Sequence, residues 1–193
     1  MIVHFKTYAN ELNRAIWNLD TSVLDDAARA IIDCVKKGGT IYSCGNGGSA
    51  AIADHLACDC LKGIRTDTDL KPRVVSLASN GPLMTAIAND FSYEDVFSYQ
   101  LESLLQPNDI LITISSSGNS PNIKKAIDTA KKRGNMTVAL CGFAGGYSKN
   151  ADIVLHVKSD NYGIVEDVHQ SIMHMLAQYI RLLYARDDAD LKL

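Results

Sequence analysis

The stretch IYSCGNGGSAA, residues 41–51, joins a short apolar run to an alanine-rich segment through a glycine-rich turn. β-Branched and aromatic residues before the turn are typical of a buried strand, and the alanines after it favour a helix. Glycines at such a junction allow backbone N–H groups to approach an anion closely at the positive end of the helix. The stretch therefore predicts an α/β fold in which this turn binds an anion, most simply a phosphate.

Strand-like and helical patterns alternate through the rest of the chain. Short β-branched runs predict strands at 40–44, 73–77, 109–114, 137–141 and 153–157. Apolar residues at helical spacing predict helices at 6–19, 23–37, 49–61, 83–89, 93–104, 121–133 and 163–184. Thr21 or Ser22 is predicted as the cap of the second helix. This alternation favours a parallel sheet with helices on both faces and with ligands at the carboxyl ends of its strands.

Composition and charge narrow the class of protein. The 193 residues carry a net charge of −3 and no long basic run, which weighs against nucleic-acid and membrane partners. No apolar segment has the length of a signal peptide or a membrane span, so a cytoplasmic protein is expected. The five cysteines show no disulfide framework and no C-x-x-C pair, so reduced and inert thiols are expected.

A second loop, ISSSGNSPN at residues 114–122, also follows a predicted strand. Four hydroxyl groups cluster before a helix whose first turn contains Pro121, and Ser120 holds the N-cap position. Hydroxyls and free backbone N–H groups at a positive helix end suit a phosphate dianion. A simple turn and cap would explain Ser120 alone, but the cluster of four hydroxyls favours anion binding.

Nucleotide sites fit these loops less well. The first loop also matches G-x-G-x-x-A, the fingerprint of dinucleotide-binding proteins. However, the next predicted strand, RVVSLASN, carries no carboxylate for a ribose hydroxyl, which weighs against a nicotinamide or flavin cofactor. The sequence has no G-x-x-x-x-G-K-[ST] loop, and its hydroxyl-rich, lysine-poor loops suit a sugar phosphate better than a nucleoside triphosphate.

Four motifs in this order, SCGNGGSA, AND at 88–90, ISSSGNSPN and GFAGG at 142–146, resemble the sugar isomerase (SIS) domain family. Within that family the chain is most similar to phosphoheptose isomerases, which act on sedoheptulose 7-phosphate. The resemblance implies a three-layer α/β/α fold with a five-stranded parallel sheet and extra N-terminal helices. It implies one SIS domain over 1–193, with a helical pair at 1–38 and a sheet core at 39–193. It also implies a homotetramer whose active sites are shared between subunits.

The resemblance further assigns the substrate contacts. It implies that the phosphate is held by Ser115, Ser116, Ser117 and Ser120. It implies that the sugar chain is lined by Asn46, Gly47, Gly48, Asn89 and Asp90. From the residues alone, a helix end and turn is the simpler interpretation of Asn89 and Asp90.

Isomerising a ketose to an aldose needs a base, an acid and a group that stabilises the enediolate. His55 and Asp59 share a helix face, a pair that on its own is more typical of a surface hydrogen bond than of a metal site. On the last helix, spacing groups Glu166 more closely with His169 than with His174. The resemblance instead implies zinc ligands at His55, Asp59, Glu166 and His174. It makes Asp59 and His174 the catalytic pair and Glu166 a substrate contact as well.

Two positions depart from the family pattern. Asp59 stands where the family has its catalytic glutamate, and Glu166 stands where it has a glutamine ligand. The first change moves the carboxylate back by about 1.5 Å, and the second adds a negative charge that tightens a cation but weakens an enediolate site. Lys62 or Arg65 is expected to replace a family arginine, and Arg65 is the favoured candidate. Two hypotheses remain: an aldose–ketose isomerase and a non-catalytic phosphosugar-binding or regulatory protein. The presence of His55 and His174, each with a carboxylate beside it, favours the enzyme.

Overall fold

Five parallel strands form one sheet in the computed structural model, which describes residues 2–185. They are β1 (Thr40–Gly45), β2 (Arg73–Ser76), β3 (Ile110–Ser115), β4 (Met136–Cys141) and β5 (Ile153–His156). The strand order is β2-β1-β3-β4-β5. Every residue of β1 and β3 is buried, as expected of central parallel strands covered on both faces. The predicted five-stranded parallel sheet is confirmed.

Helices cover both faces of this sheet. Those in the described residues are α1 (Ile2–Trp17), α2 (Thr21–Lys36), α3 (Gly48–Cys58), α4 (Gly81–Asp90), α5 (Ser98–Leu104), α6 (Pro121–Lys132) and α7 (Tyr162–Tyr184). Side chains alternate along each strand, so Ile41 joins the core formed with α2, α3 and α7, whereas Tyr42 joins the core formed with α5 and α6. The predicted three-layer α/β/α arrangement is confirmed, and α1 packs on α7 outside it.

The cap of α2 differs from the prediction. The Asp20 carboxylate accepts a hydrogen bond from the Ser22 N–H at 3.0 Å, and Thr21 is the first helical residue. Thr21 and Ser22 were therefore wrong as caps. The reason is that an aspartate directly before them offers its carboxylate to the unpaired N–H groups of the first turn.

The helix predicted at 49–61 has two parts. It begins as α3, and a π-helical turn follows over Asp59–Ile64. This wider turn buries its cysteine and its isoleucine in the core. The Asp59 side chain stays on the face of α3 that carries His55. Such turns are uncommon and often lie at functional sites.

The carboxyl edge of the sheet brings the two candidate anion loops together. β1 and β3 are neighbours, and Gly45 pairs in register with Ile114 at their ends. The glycine turn and the serine-rich loop therefore leave the sheet side by side. Because α7 follows the parallel strand β5, it begins at the same edge.

The N-terminal helices share an apolar core with the sheet. Ala15 of α1, Ala28 of α2 and Ile112 of β3 belong to one cluster of buried side chains. The predicted domain spans 1–193, of which residue 1 and residues 186–193 lie outside the described part of the chain. Among the helices of residues 2–185, none combines the length and the apolar character needed to cross a membrane.

Asp109 provides a test of how β1 is anchored. Its carboxylate is buried and accepts the backbone N–H groups of Thr40 and Gln106, each at 2.7 Å. Asp109→Ala leaves both donors unpaired, so we expect the free energy of unfolding to fall by about 2–4 kcal/mol in urea denaturation. Asp109→Asn keeps one oxygen acceptor and should lose about half as much. Unchanged stability of Asp109→Ala would contradict this anchoring role.

Candidate active site

The serine loop, residues 115–120, leaves β3 and turns sharply into α6. Gly118 makes the turn at φ +70°, and its N–H donates to the Ser115 carbonyl oxygen at 3.1 Å. A Cβ on Gly118 would lie 2.1 Å from the Gly145 carbonyl oxygen. Only glycine fits both the positive φ and the close approach. The turn brings the hydroxyl oxygens of Ser115 and Ser120 to 3.5 Å from each other.

Ser120 occupies the N-cap position of α6, as predicted. Within residues 2–185, its side chain makes no capping hydrogen bond to the first turn of the helix. The Ser117 hydroxyl instead accepts the Asn119 N–H at 3.3 Å. The Ser120 hydroxyl therefore stays available to a ligand at the positive end of a 12-residue helix.

A polar cleft of about 180 Å³ opens beside this loop, and we call it the serine cleft. Its lining consists of Asn46, Ser49, Ile114, Ser115, Ser116, Ser117, Ser120, Tyr162 and Glu166. The lining combines both loops that the sequence singled out. A single small anion can therefore contact the hydroxyls of one loop and the helix start that follows the other.

The glycine turn brings the start of α3 against Glu166 of α7. Gly47 precedes α3 with φ +54°, and a Cβ on Gly48 would lie 2.6 Å from Glu166 Oε2. Because Gly48 has no side chain, the carboxylate reaches the positive end of α3. The Ser116 hydroxyl lies 3.5 Å from Glu166 Oε1. Glu166 is thus placed to contact a ligand in the serine cleft.

His55, Asp59 and His174 form a second group, which we call the His–Asp cluster. The Nε2 atoms of the two histidines lie 3.2 Å apart. The Asp59 carboxylate lies 3.4 Å from His55 Nε2 and 3.8 Å from His174 Nε2. One ligand atom from each residue falls within 4.8 Å of the others. The histidines are about half exposed, so the cluster is open to solvent on one side.

The electrostatics of the His–Asp cluster favour a cation or a mobile proton. Burial raises the pKa of Asp59, and the neighbouring His55 and His174 oppose this rise. Asp59 Oδ2 is buried and, among the described residues, has no hydrogen-bond donor, which is unfavourable for a carboxylate. Two imidazole nitrogens and a carboxylate oxygen are ligands that zinc prefers. The residues present therefore fit a zinc ion.

The serine cleft and the His–Asp cluster lie along the same two helices, α3 and α7, at different positions along the helix axes. Ser49 and Glu166 stand near the starts of α3 and α7, and His55 and His174 follow further along. At 1.5 Å per residue, Ser49 and His55 are separated by about 9 Å along the axis, and Glu166 and His174 by about 12 Å. An extended ligand anchored in the serine cleft can therefore reach the cluster.

A second cleft, of about 290 Å³, opens beside the His–Asp cluster. Asp59 and His174 line it together with the cations of Lys62 and Arg181. Of the two residues expected to replace a family arginine, Lys62 therefore lies next to the cluster. Arg65, the favoured candidate, is not among the residues that line this cleft.

The structure separates the two histidines of α7. His169 is fully buried, and burial lowers its pKa to about 4. His174 instead lies against the His–Asp partners from α3. At about 100° per residue, Glu166 lies between them around the helix, about 60° from His169 and about 80° from His174. Spacing alone favoured His169 as the partner of Glu166, but that side of the helix packs into the core.

Glu166, Asn89 and Asp90 are not in the His–Asp cluster. Glu166 lines the serine cleft, whereas Asn89 and Asp90 are exposed at the end of α4. The Asn89 amide donates to the Asp90 carboxylate at 2.8 Å. Neither of these two belongs to the lining of the serine cleft, so their contact with substrate stays a prediction.

Sequence reasoning missed Ser49, Asn122 and Tyr162. Ser49 lines the serine cleft, and Asn122 is buried and bonded to Asn46 at 2.9 Å. Both lie in the quoted loops, so membership of these loops was the available signal. The Tyr162 ring lines the same cleft and packs 4.7 Å from the ring of Phe143. Tyr162 lies outside every motif, and only packing reveals it.

Comparison with known proteins agrees with this fold. The SIS domain family matches residues 4–142 of the chain. The phosphoheptose isomerase of Solidesulfovibrio magneticus is 37% identical over 82% of this chain and 77% of its own length. The probable phosphoheptose isomerase of Thermoplasma acidophilum is 38% identical over 91% of this chain and 96% of its own. The solved phosphoheptose isomerase of Neisseria gonorrhoeae has a TM-score of 0.83 and 31% identity, covering 93% of this chain and 96% of that one.

Gly118→Ala tests whether the serine loop holds an anion. The added methyl group would collide with the Gly145 carbonyl, and the alanine would have to adopt a positive φ. The serine hydroxyls of the loop should therefore move apart. We expect the affinity for inorganic phosphate to fall at least tenfold in calorimetric titration.

The control for this change is Gly134→Ala. Gly134 has a similar φ of +77°, but a Cβ there meets nothing within 4 Å. This variant should lose about 1 kcal/mol of stability from backbone strain and bind phosphate as wild type does. Wild-type phosphate affinity in Gly118→Ala would contradict the assignment of the serine loop.

Proposed function

Because the chain belongs to the SIS domain family, we propose that it is an isomerase that interconverts aldose and ketose phosphates. Its similarity to proteins named phosphoheptose isomerase makes sedoheptulose 7-phosphate the proposed substrate. One observation carries the proposal: an anion cleft and a cluster of titratable groups lie on the same two helices, about one sugar chain apart.

The phosphate of the substrate would bind in the serine cleft. The hydroxyls of Ser115, Ser116, Ser117 and Ser120 supply donors, and the start of α6 supplies a positive dipole end. Binding at this end fixes the substrate without taking part in the chemistry. The carbonyl end is then directed along α3 and α7 toward the His–Asp cluster.

Proton transfer is assigned to Asp59 and His174. Asp59 removes a proton from C1 of the ketose, and His174 donates a proton to O2, which gives an enediol. His174 then takes the proton from O1, and Asp59 delivers one to C2, which completes the aldose. Burial raises the pKa of Asp59, and this makes its carboxylate a stronger base.

The sugar chain between these ends would contact both loops and α7. Asn46, Gly47 and Gly48 lie along the glycine turn, and Glu166 accepts hydrogen bonds from sugar hydroxyls in the serine cleft. Asn89 and Asp90 are exposed on α4, away from the lining of that cleft. In the proposed assembly, Asn89 and Asp90 contact the substrate that a neighbouring subunit binds.

Zinc is the proposed metal. His55, Asp59 and His174 would hold it. Glu166, which the family resemblance offers as a further ligand, lies in the serine cleft and outside this cluster. When bound, the ion supplies Lewis acidity that polarises the substrate carbonyl. His55 then acts by holding the metal, while Asp59 and His174 move the protons.

The proposed assembly is a homotetramer in the cytoplasm. Large apolar side chains are exposed on α1 and after α4, including Phe5, Trp17 and Phe91. These side chains mark the part of the surface that a neighbouring subunit would cover. All five cysteines are free thiols, which fits a reducing compartment.

A non-catalytic phosphosugar-binding protein is the second candidate. Asp59 is shorter than the family glutamate, and Glu166 adds a negative charge to the ligand site. Asp59 lies outside the serine cleft, so its shorter side chain leaves phosphate binding there untouched, whereas the Glu166 carboxylate lines that cleft. Binding without proton exchange is therefore the signature of this second candidate.

Deuterium exchange tests the isomerase directly. Incubation with sedoheptulose 7-phosphate in D₂O should place deuterium at C2 of the aldose product, because the proton removed by Asp59 exchanges with solvent. Asp59→Asn and His174→Gln should each lower the rate at least 100-fold, the range expected for loss of general acid–base catalysis. Asp54→Asn, an exposed carboxylate on the same helix, is the matched control and should exchange at the wild-type rate. Tight binding of the sugar phosphate by wild type without exchange would replace the isomerase with the binding protein.

Metal binding is tested separately by titrating chelator-treated protein with zinc. His55→Ala removes one of the proposed ligands, so it should weaken zinc binding at least tenfold. His4→Ala, which removes an exposed histidine from α1, should leave zinc binding unchanged. Equal zinc affinities of His55→Ala and wild type would rule out the assigned ligand set.

A further inference from the structure

Two side chains hold the amide of Asn46 at the wall of the serine cleft. Asn46 Nδ2 donates to Asn122 Oδ1 at 2.9 Å, and Asn122 Nδ2 donates back to Asn46 Oδ1 at 2.8 Å. The Tyr93 hydroxyl also donates to Asn46 Oδ1, at 2.8 Å. These contacts join the glycine turn, the first turn of α6 and the 3₁₀ turn at Tyr93–Asp95.

The hydrogen-bond network determines which way the Asn46 amide faces. Asn122 is 1% exposed, and its Oδ1 accepts the backbone N–H of Ile123 at 3.0 Å. A backbone N–H is always a donor, so this bond fixes Oδ1 as the acceptor and turns Asn122 Nδ2 toward Asn46. Asn46 must then present Oδ1 to Asn122 Nδ2 and to the Tyr93 hydroxyl. Both lone pairs of Asn46 Oδ1 are thus occupied, whereas Nδ2 has one N–H left over.

We infer that Asn122 and Tyr93 are positioning residues, which hold Asn46 so that it offers the substrate a single N–H donor and no acceptor. The inference rests on the proposed function, because Asn46 is a substrate contact there. It adds a rule of specificity. The substrate atom opposite Asn46 accepts a hydrogen bond, as a carbonyl, enediolate or phosphate oxygen does. An amino group on the sugar at that point finds no acceptor from Asn46.

Asn122→Asp is the sharpest probe of this arrangement. The aspartate keeps the size of the side chain and the bond from the Ile123 N–H. It presents two oxygens to Asn46, so Asn46 Oδ1 meets an oxygen in either orientation of its amide. We expect kcat/KM for sedoheptulose 7-phosphate to fall at least 100-fold. Tyr93→Phe removes one of two donors to Asn46 Oδ1 and should lower kcat/KM threefold to tenfold.

A double-mutant cycle distinguishes positioning from a general effect on folding. In an Asn46→Ala background, Asn122→Asp and Tyr93→Phe should each change kcat/KM less than twofold, because the group that they orient is gone. Tyr179→Phe is the matched control for Tyr93→Phe. Tyr179 is also an exposed tyrosine, and its hydroxyl donates to Asp25 at 2.9 Å. This variant should keep the kcat/KM of wild type.

The outcomes separate this inference from the proposed function. A wild-type protein that does not isomerise sedoheptulose 7-phosphate refutes the proposed function, and the same cycle is then run on the dissociation constant of that sugar phosphate. If Asn122→Asp does not fold, the Tyr93→Phe and Asn46→Ala cycle decides, because the Tyr93 ring is 55% exposed and tolerates loss of its hydroxyl. The inference is overturned if the effects of the paired variants multiply independently, or if Asn122→Asp and Tyr93→Phe stay within twofold of wild type.

Discussion

The packing of α3 against α7 is the constraint on which the candidate active site depends. Both helices begin at the carboxyl edge of the sheet and run back over the same apolar core. The buried Ala53 on α3 faces a core that includes Val168 and Ile172 of α7, and a small side chain allows the helices to approach closely. Matching turns of the two helices therefore lie side by side. A group on one helix meets a group on the other at the helix starts and again further along.

This packing brings together groups that add little to stability. At the helix starts, the absence of a side chain at Gly48 allows the Glu166 carboxylate to reach α3. Further along, two imidazole nitrogens face each other beside a carboxylate whose Oδ2 atom has no donor among residues 2–185. Such arrangements are poor ways to stabilise a fold, because polar groups lose water without full compensation. They are common where a site binds a cation or moves a proton.

The shorter carboxylate at Asp59 is compatible with this cluster. Asp59 follows the last turn of α3, one helical turn after His55, and its carboxylate still comes within 3.4 Å of that imidazole. The π-helical turn begins at Asp59, so the widening affects only the residues after it. Those residues bury an apolar side chain at Ile64. The fold thus keeps Asp59 facing the histidines while the chain beyond it changes direction.

The sequence by itself determined the parts that depend on local chemistry. Alternating apolar runs predicted the five strands and most of the helices. Glycine and serine spacing singled out the two candidate anion loops, and the neighbouring parallel strands β1 and β3 place both at one edge. Local spacing could not decide which side of α7 faces the core, since Glu166 lies between His169 and His174 around the helix. Nor could it show that Asn122 would pair with Asn46, 76 positions away. Only the tertiary structure decided these, because a periodic pattern shows which residues share a face, whereas packing decides what that face contacts.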